Sequence, residues 1–194
     1  MPIGGKPREG EQMSDSIETS GAKLEEIARA IRDVARIHGT FTLRSGAVSD
    51  TYFDKYRFEA DPALLKRIGE TLLPLIPQEA TVLAGLEMGG IPIVTILGQL
   101  TGLPTAFLRK EAKTYGTCRY AEGAELKGER VLLIEDVVSS GGAIIDTLNL
   151  LRGDGIEPIG ALCVIDRETG GVENLANVGF DLKALLTMSR IEAA

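Results

Sequence analysis

The sequence has no tryptophan and a single histidine, His38. One imidazole cannot build a histidine-rich metal site, and a Ser–His–Asp triad would have to rely on His38 alone. The two cysteines, Cys118 and Cys163, lie far apart without CxxC spacing. They form neither a metal motif nor a disulfide framework and read as reduced thiols. Long hydrophobic runs are also missing, since no stretch reaches the ~18–20 apolar residues of a membrane span. Basic charge is in deficit: 21 Lys and Arg face 28 Asp and Glu, for a formal net charge of −7. A general nucleic-acid binder has the opposite balance, although a local basic cluster still suits a small polyanion. The opening MPIGGKPREGEQMSDSIETSG lacks the apolar region of a secretory signal. It is polar and rich in glycine and acids, so residues 1–21 read as a disordered lead-in, and the expected location is cytoplasmic.

What is present is ordinary globular material. The chain has 194 residues, 44% of them hydrophobic and 25% charged, which suits a single α/β domain over residues 22–194. Within Lys23–His38, Leu24, Ile27, Ile31, Val34 and Ile37 recur at helical spacing and predict an amphipathic helix, with His38 at its end as a dipole partner or surface residue. Phe41–Phe58 mixes β-formers with the turns Ser45-Gly46 and Ser49-Asp50 and predicts short strands or a hairpin. Together with the first helix it would make a small hood over residues 22–60. Pro62–Leu73 is again helical, with Asp61 as N-cap and Pro62 at the first position.

From there the pattern alternates. Strands are expected at Thr81–Gly85, Thr105–Leu108, Arg130–Asp136, Ile159–Asp166 and Leu182–Thr187, and helices at Gly90–Gln99 and Ala143–Arg152. Short apolar runs alternating with helices predict a mostly parallel central sheet flanked by helices. Arg109–Gly128 breaks the rhythm. It is polar, carries three lysines and two arginines, and is longer than an ordinary connection, as active-site lids are.

Val131–Ala143, VLLIEDVVSSGGA, concentrates the chemistry. A buried strand ends in Glu135 and Asp136, and Val137, Val138, Ser139, Ser140, Gly141 and Gly142 turn into a helix. A loop entering a helix N-terminus presents unpaired N–H groups and the positive end of the dipole, and phosphate is their natural ligand. Carboxylates beside such a site are costly unless they meet hydroxyls, a metal or positive charge. A ribose 5-phosphate meets that need: its phosphate enters the loop and its hydroxyls face the acids. The plain alternative is a strand–turn–helix with a surface acidic pair. The loop is neither a Walker A nor a Rossmann fingerprint.

This segment resembles the 13-residue signature of type I phosphoribosyltransferases, with serines where threonines are typical and Ala143 where a hydroxyl is common. Further motifs resemble the orotate branch of that family: FTLRSGAVSDTYFD at Phe41–Asp54, GLEMGGIP at Gly85–Pro92, RKEAKTYG at Arg109–Gly116 and VIDRETGG at Val164–Gly171. The resemblance covers nearly all of Phe41–Gly171, in order. It implies a type I phosphoribosyltransferase-like fold that joins orotate to phosphoribosyl pyrophosphate (PRPP), yielding orotidine 5′-monophosphate. It also implies site residues. PRPP would be held by Arg109, Lys110, Lys113, Tyr115, Glu135, Asp136 and Val137 through Ala143, with Glu87, Met88, Gly89 and Gly90 as the pyrophosphate loop. Lys110, Lys113 and Asp136 would be catalytic. Arg44, in the place of a typical lysine, would meet orotate with Ser139 and Arg167. A direct protein metal site is not expected, Mg²⁺ being carried by PRPP. A homodimer with shared sites is implied, with neither nucleic acid nor membrane as partner. Read bottom-up, Arg109, Lys110 and Lys113 can neutralise a departing pyrophosphate beneath a lid, and Arg167 can clamp a carboxylate or, more plainly, pair with Asp166 or Glu168. Another acceptor base, or a nucleotide-sensing regulator on the same fold, are the competing readings.

Overall fold

The computed structural model describes residues 9–42, 46–110 and 120–194, with side chains from Gly21 onward. The central sheet has the order β5-β4-β3-β6-β7-β8. Its strands are β3 (Val82–Leu86), β4 (Thr105–Leu108), β5 (Ala121–Gly123), β6 (Val131–Val138), β7 (Gly160–Asp166) and β8 (Leu182–Thr187). All pair in parallel except β5, which closes one edge antiparallel to β4. The expected α/β class and mostly parallel sheet are therefore present.

Strand β6 shows why the sequence folds this way. Leu132 and Ile134 enter one hydrophobic cluster, while Val131 and Leu133 enter the other. Both faces are buried, so the strand reads as an unbroken apolar run. The first face is covered by α1 (Glu9–Ala35), α2 (Tyr56–Ala60), α3 (Pro62–Leu72), α4 (Gly90–Thr101) and α7 (Met188–Ala193), which contribute Ile31, Phe58, Ile68, Ile93 and Ile191. The second is covered by α5 (Gly142–Gly153) and α6 (Gly171–Asn177), through Ile144, Leu148, Leu151 and Leu175. Each fully buried Leu or Ile contributes roughly 1.5–3 kcal/mol.

The hood differs in detail from the sequence reading. Helix α1 begins at Glu9, inside the stretch expected to be disordered, and ends at Ala35 rather than His38. Arg36–Thr42 is instead strand β1, paired antiparallel with β2 (Val48–Phe53). Ile37 fits either period, but pairing with Tyr52 recruits it to the hairpin. His38 is thus an exposed strand residue. Asp61 caps α3 as expected, its Oδ1 accepting from the Ala63 and Leu64 amides at 2.9 and 3.0 Å. Among the described residues, no helix is long and apolar enough to cross a membrane.

Candidate active site

Two turns meet where the sheet changes direction. From β3 the chain runs outward to β4, whereas from β6 it runs the other way to β7 and β8. The loops leaving β3 and β6 therefore diverge, and a crevice opens between them at the carboxyl ends of the strands, the usual ligand position in such sheets.

The β3 turn holds Glu87, Met88 and Gly89, with a cis Glu87–Met88 peptide. It packs so tightly that side chains are excluded. A Cβ on Gly90 would lie 2.4 Å from the Ile134 carbonyl oxygen, and one on Gly89 would lie 1.9 Å from Asp136 Oδ2. Met88, by contrast, is exposed. The β6 turn exposes Ser139 and Ser140 and enters α5 through Gly141, whose φ of 76° favours glycine. The following β-α unit braces this turn. Arg167 N donates to Val138 O at 2.8 Å, Asn174 Nδ2 donates to Ser140 O at 3.0 Å, and a Cβ on Gly171 would approach Ser139 O to 2.6 Å.

Charge gathers around the turns. A cleft of about 440 Å³ is lined by Glu87, Arg109, Lys110, Gly142, Ala143 and Asp146, among others. It unites parts of three motifs that are separate in sequence. Glu87 Oε1 accepts from the Lys110 amide at 2.8 Å, which ties the β3 turn to the start of the basic segment. A second cleft, of about 660 Å³, lies between the hood and the core. Arg36, Thr51, Tyr52, Phe53, Arg167 and Met188 are among its lining residues. Arg167 is exposed, and the plain ion-pair alternative for it is not formed: Glu168 carboxylate oxygens accept from Ser189 N and Oγ, and Asp166 accepts from Glu168 N. Arg44, Lys113 and Tyr115 lie outside the described residues, as do residues 111–119 of the expected lid, whose later part is not all loop, since Ala121–Gly123 is strand β5.

The acidic pair is not a surface feature. Glu135 is 8% exposed and Asp136 0%, and β6 continues two residues beyond them to Val138. Alternation along β6 sends Asp136 to the hood face. There it meets Lys55, just ahead of α2, with Nζ at 2.7 Å from Oδ2 and 3.1 Å from Oδ1. Asp136 Oδ1 also accepts from Val137 N. The carboxyl of Glu59, from α2, is buried beside Asp136, and its Oε1 has no hydrogen-bond partner among the described residues. Burial and the neighbouring Asp136 carboxylate push the Glu59 and Glu135 carboxyls well above the usual range. Burial also opposes ionisation of Asp136, but hydrogen bonds from Glu135, Glu59 and Lys55 outweigh it and hold its pKa low. Lys55 is disfavoured by burial, yet Asp136 more than offsets this and raises its pKa. The cation that buried acids require is thus Lys55. Neither Lys55 nor Glu59 stood out in sequence. Their only cue was a lysine and a glutamate four residues apart, flanking Phe58.

Comparison with known proteins agrees with this architecture. Residues 57–183 match the phosphoribosyl transferase domain family. The chain is 47% identical over 168 residues to an orotate phosphoribosyltransferase of a Nocardioides strain, covering 87% of this chain and 94% of that one. It is 39% identical over 153 residues to the enzyme of Methanocella arvoryzae, covering 79% and 87%. In three dimensions it is similar to the Mycobacterium tuberculosis orotate phosphoribosyltransferase crystallised with inorganic phosphate, with a TM-score of 0.77 and 26% identity over 88% of this chain and 99% of that one.

Proposed function

The chain belongs to the orotate phosphoribosyltransferases, and from that membership we propose how its residues divide the reaction. The enzyme transfers the 5-phosphoribosyl group of PRPP to orotate, giving orotidine 5′-monophosphate and pyrophosphate in pyrimidine biosynthesis. The bond from orotate N1 to C1 of the ribose forms as the bond to pyrophosphate breaks, and positive charge develops on the sugar.

The 5-phosphate sits on the amides of Ser139–Ala143 at the α5 N-terminus, aided by the two serine hydroxyls. Ala143 offers no hydroxyl, so backbone donors dominate. The ribose hydroxyls meet Asp136 and Glu135. The pyrophosphate lies by Glu87–Gly90, with Arg109, Lys110 and Lys113 neutralising the charge it gains on leaving. Orotate enters between hood and core, its carboxylate on Arg167 and Arg44. Mg²⁺ would be held mainly by the phosphate oxygens of the substrate rather than by protein side chains, and would offset part of their charge. The donor set fits this: Asp136 already has a cation in Lys55, and Glu87 accepts from the Lys110 amide. Residues 22–194 act as one domain in a cytoplasmic homodimer with shared sites.

The observation that carries this reading is the meeting of the β6 turn, the β3 turn and Arg109–Lys110 around one cleft. The test is the fall in orotate absorbance on adding PRPP and Mg²⁺. Unchanged absorbance, or preferential turnover of uracil or a purine, would overturn it.

A further inference from the structure

We propose that Lys55 is a positioning residue of the transfer: from the hood, its ammonium selects Asp136 as the ionised member of a buried three-carboxyl cluster and keeps it ready for the ribose hydroxyls. The proposal rests on the reading of Asp136 as the ribose-facing acid.

Asp136, Glu135 and Glu59 are all buried, Asp136 N donates to Glu135 Oε1 at 3.1 Å, and the Asp136 charge opposes ionisation of the other two. Such close carboxyls cannot all be charged at once. Their protons are shared, and the neighbours decide which group stays ionised. Lys55 touches both Asp136 oxygens, at 2.7 and 3.1 Å. The other groups facing the cluster cannot make that choice. Among the described residues, Asp54 and Tyr56 approach from the hood and Cys163 from β7; none of them carries positive charge. The Val137 amide supports Asp136 as well, and the absence of a side chain at Gly89 keeps the space beside Oδ2 clear. An arriving hydroxyl takes over one of the two Lys55 contacts while the other persists. A protonated Asp136 would accept less well and would not favour a cationic transition state.

Removing the ammonium therefore returns the choice of proton to the cluster and raises the pH at which Asp136 ionises. Lys55→Met should lower kcat near neutral pH by about tenfold or more. The loss should shrink as pH rises, giving an ascending limb absent from the parent, while KM for orotate changes little. Lys55→Arg should restore most of the turnover. A folded Lys55→Met enzyme with a pH profile parallel to the parent would overturn the proposal. Carbon-13 NMR of the Asp136 carboxyl in the unmodified enzyme, assigned with Asp136→Asn, is independent of how the lysine variants fold: an ionised carboxylate at neutral pH is expected, and a protonated one overturns the proposal. Asp136→Asn separates the two levels. If it keeps full turnover, the reading of Asp136 itself fails. If it is slow while Lys55→Met is normal, only the role of Lys55 fails.

Discussion

The floor of the crevice and its rim both carry strong charge, but they handle it in opposite ways. At the floor, Asp136 is fully buried and its charge is matched within the protein by Lys55. At the rim, Arg109, Lys110 and Arg167 are exposed and have no ion partner among the described residues. A matched buried charge is rigid and costly to disturb. An unmatched exposed one is cheap to keep and waits for a ligand. On the proposed reading, the floor is built before substrate arrives and the rim is completed by substrate.

The contrast can be broken most forcefully at Gly89. A Cβ there would lie 1.9 Å from Asp136 Oδ2, so Gly89→Ala must displace the turn or the carboxylate. A shift of this kind costs about 100-fold in turnover, and steady-state kinetics should find that loss insensitive to salt. At the rim, Lys110→Ala should lower kcat roughly tenfold, the scale of one charge-assisted hydrogen bond, with a smaller effect on ribose-phosphate binding. This loss should vary with ionic strength because the charge is exposed. Equal salt dependence at the two sites would erase the distinction.

The floor also has a signature in stability. The Glu59 carboxyl is pushed from an ordinary 4.5 up to about 9, by burial first and by Asp136 second. Between those values the folded state keeps a proton that the unfolded chain has released. The stabilisation from this group is full below about 4.5, declines as pH rises, and is lost above about 9. Denaturant unfolding across this range should show a shallower decline in Glu59→Gln than in the parent. A slope unchanged by the substitution would mean that the cluster does not hold that proton. The smallest effect is expected away from both regions. Asp61→Ala removes the α3 cap and should cost about 1 kcal/mol, seen as a lower Tm with normal turnover at moderate temperature.

The sheet was readable because its strands are buried on both faces and appear as bare apolar runs; β4 and β8 match their expected bounds. The short helices α2, α6 and α7 were not read. With five, seven and six residues they are too brief to establish a period and depend on packing, as Phe58 and Leu175 do. The boundary at Ala35 was missed because Ile37 satisfies two patterns at once. The site divides along the same line as floor and rim. Contiguous motifs disclosed the turns and the basic segment, because local sequence forms them. The Lys55–Asp136 contact joins residues 81 positions apart, and neither composition nor spacing registers such a pairing.

The bracing of the β6 turn has a consequence for engineering. Its shape depends on the absence of a side chain at Gly171 and on the amide of Asn174, both more than 30 residues downstream of Ser139 and Ser140. Val131–Ala143 is therefore not a portable cassette. Grafted alone onto another parallel sheet it would bring the right letters without the clamp that gives them their form, and a working transplant has to carry the start of α6 with it.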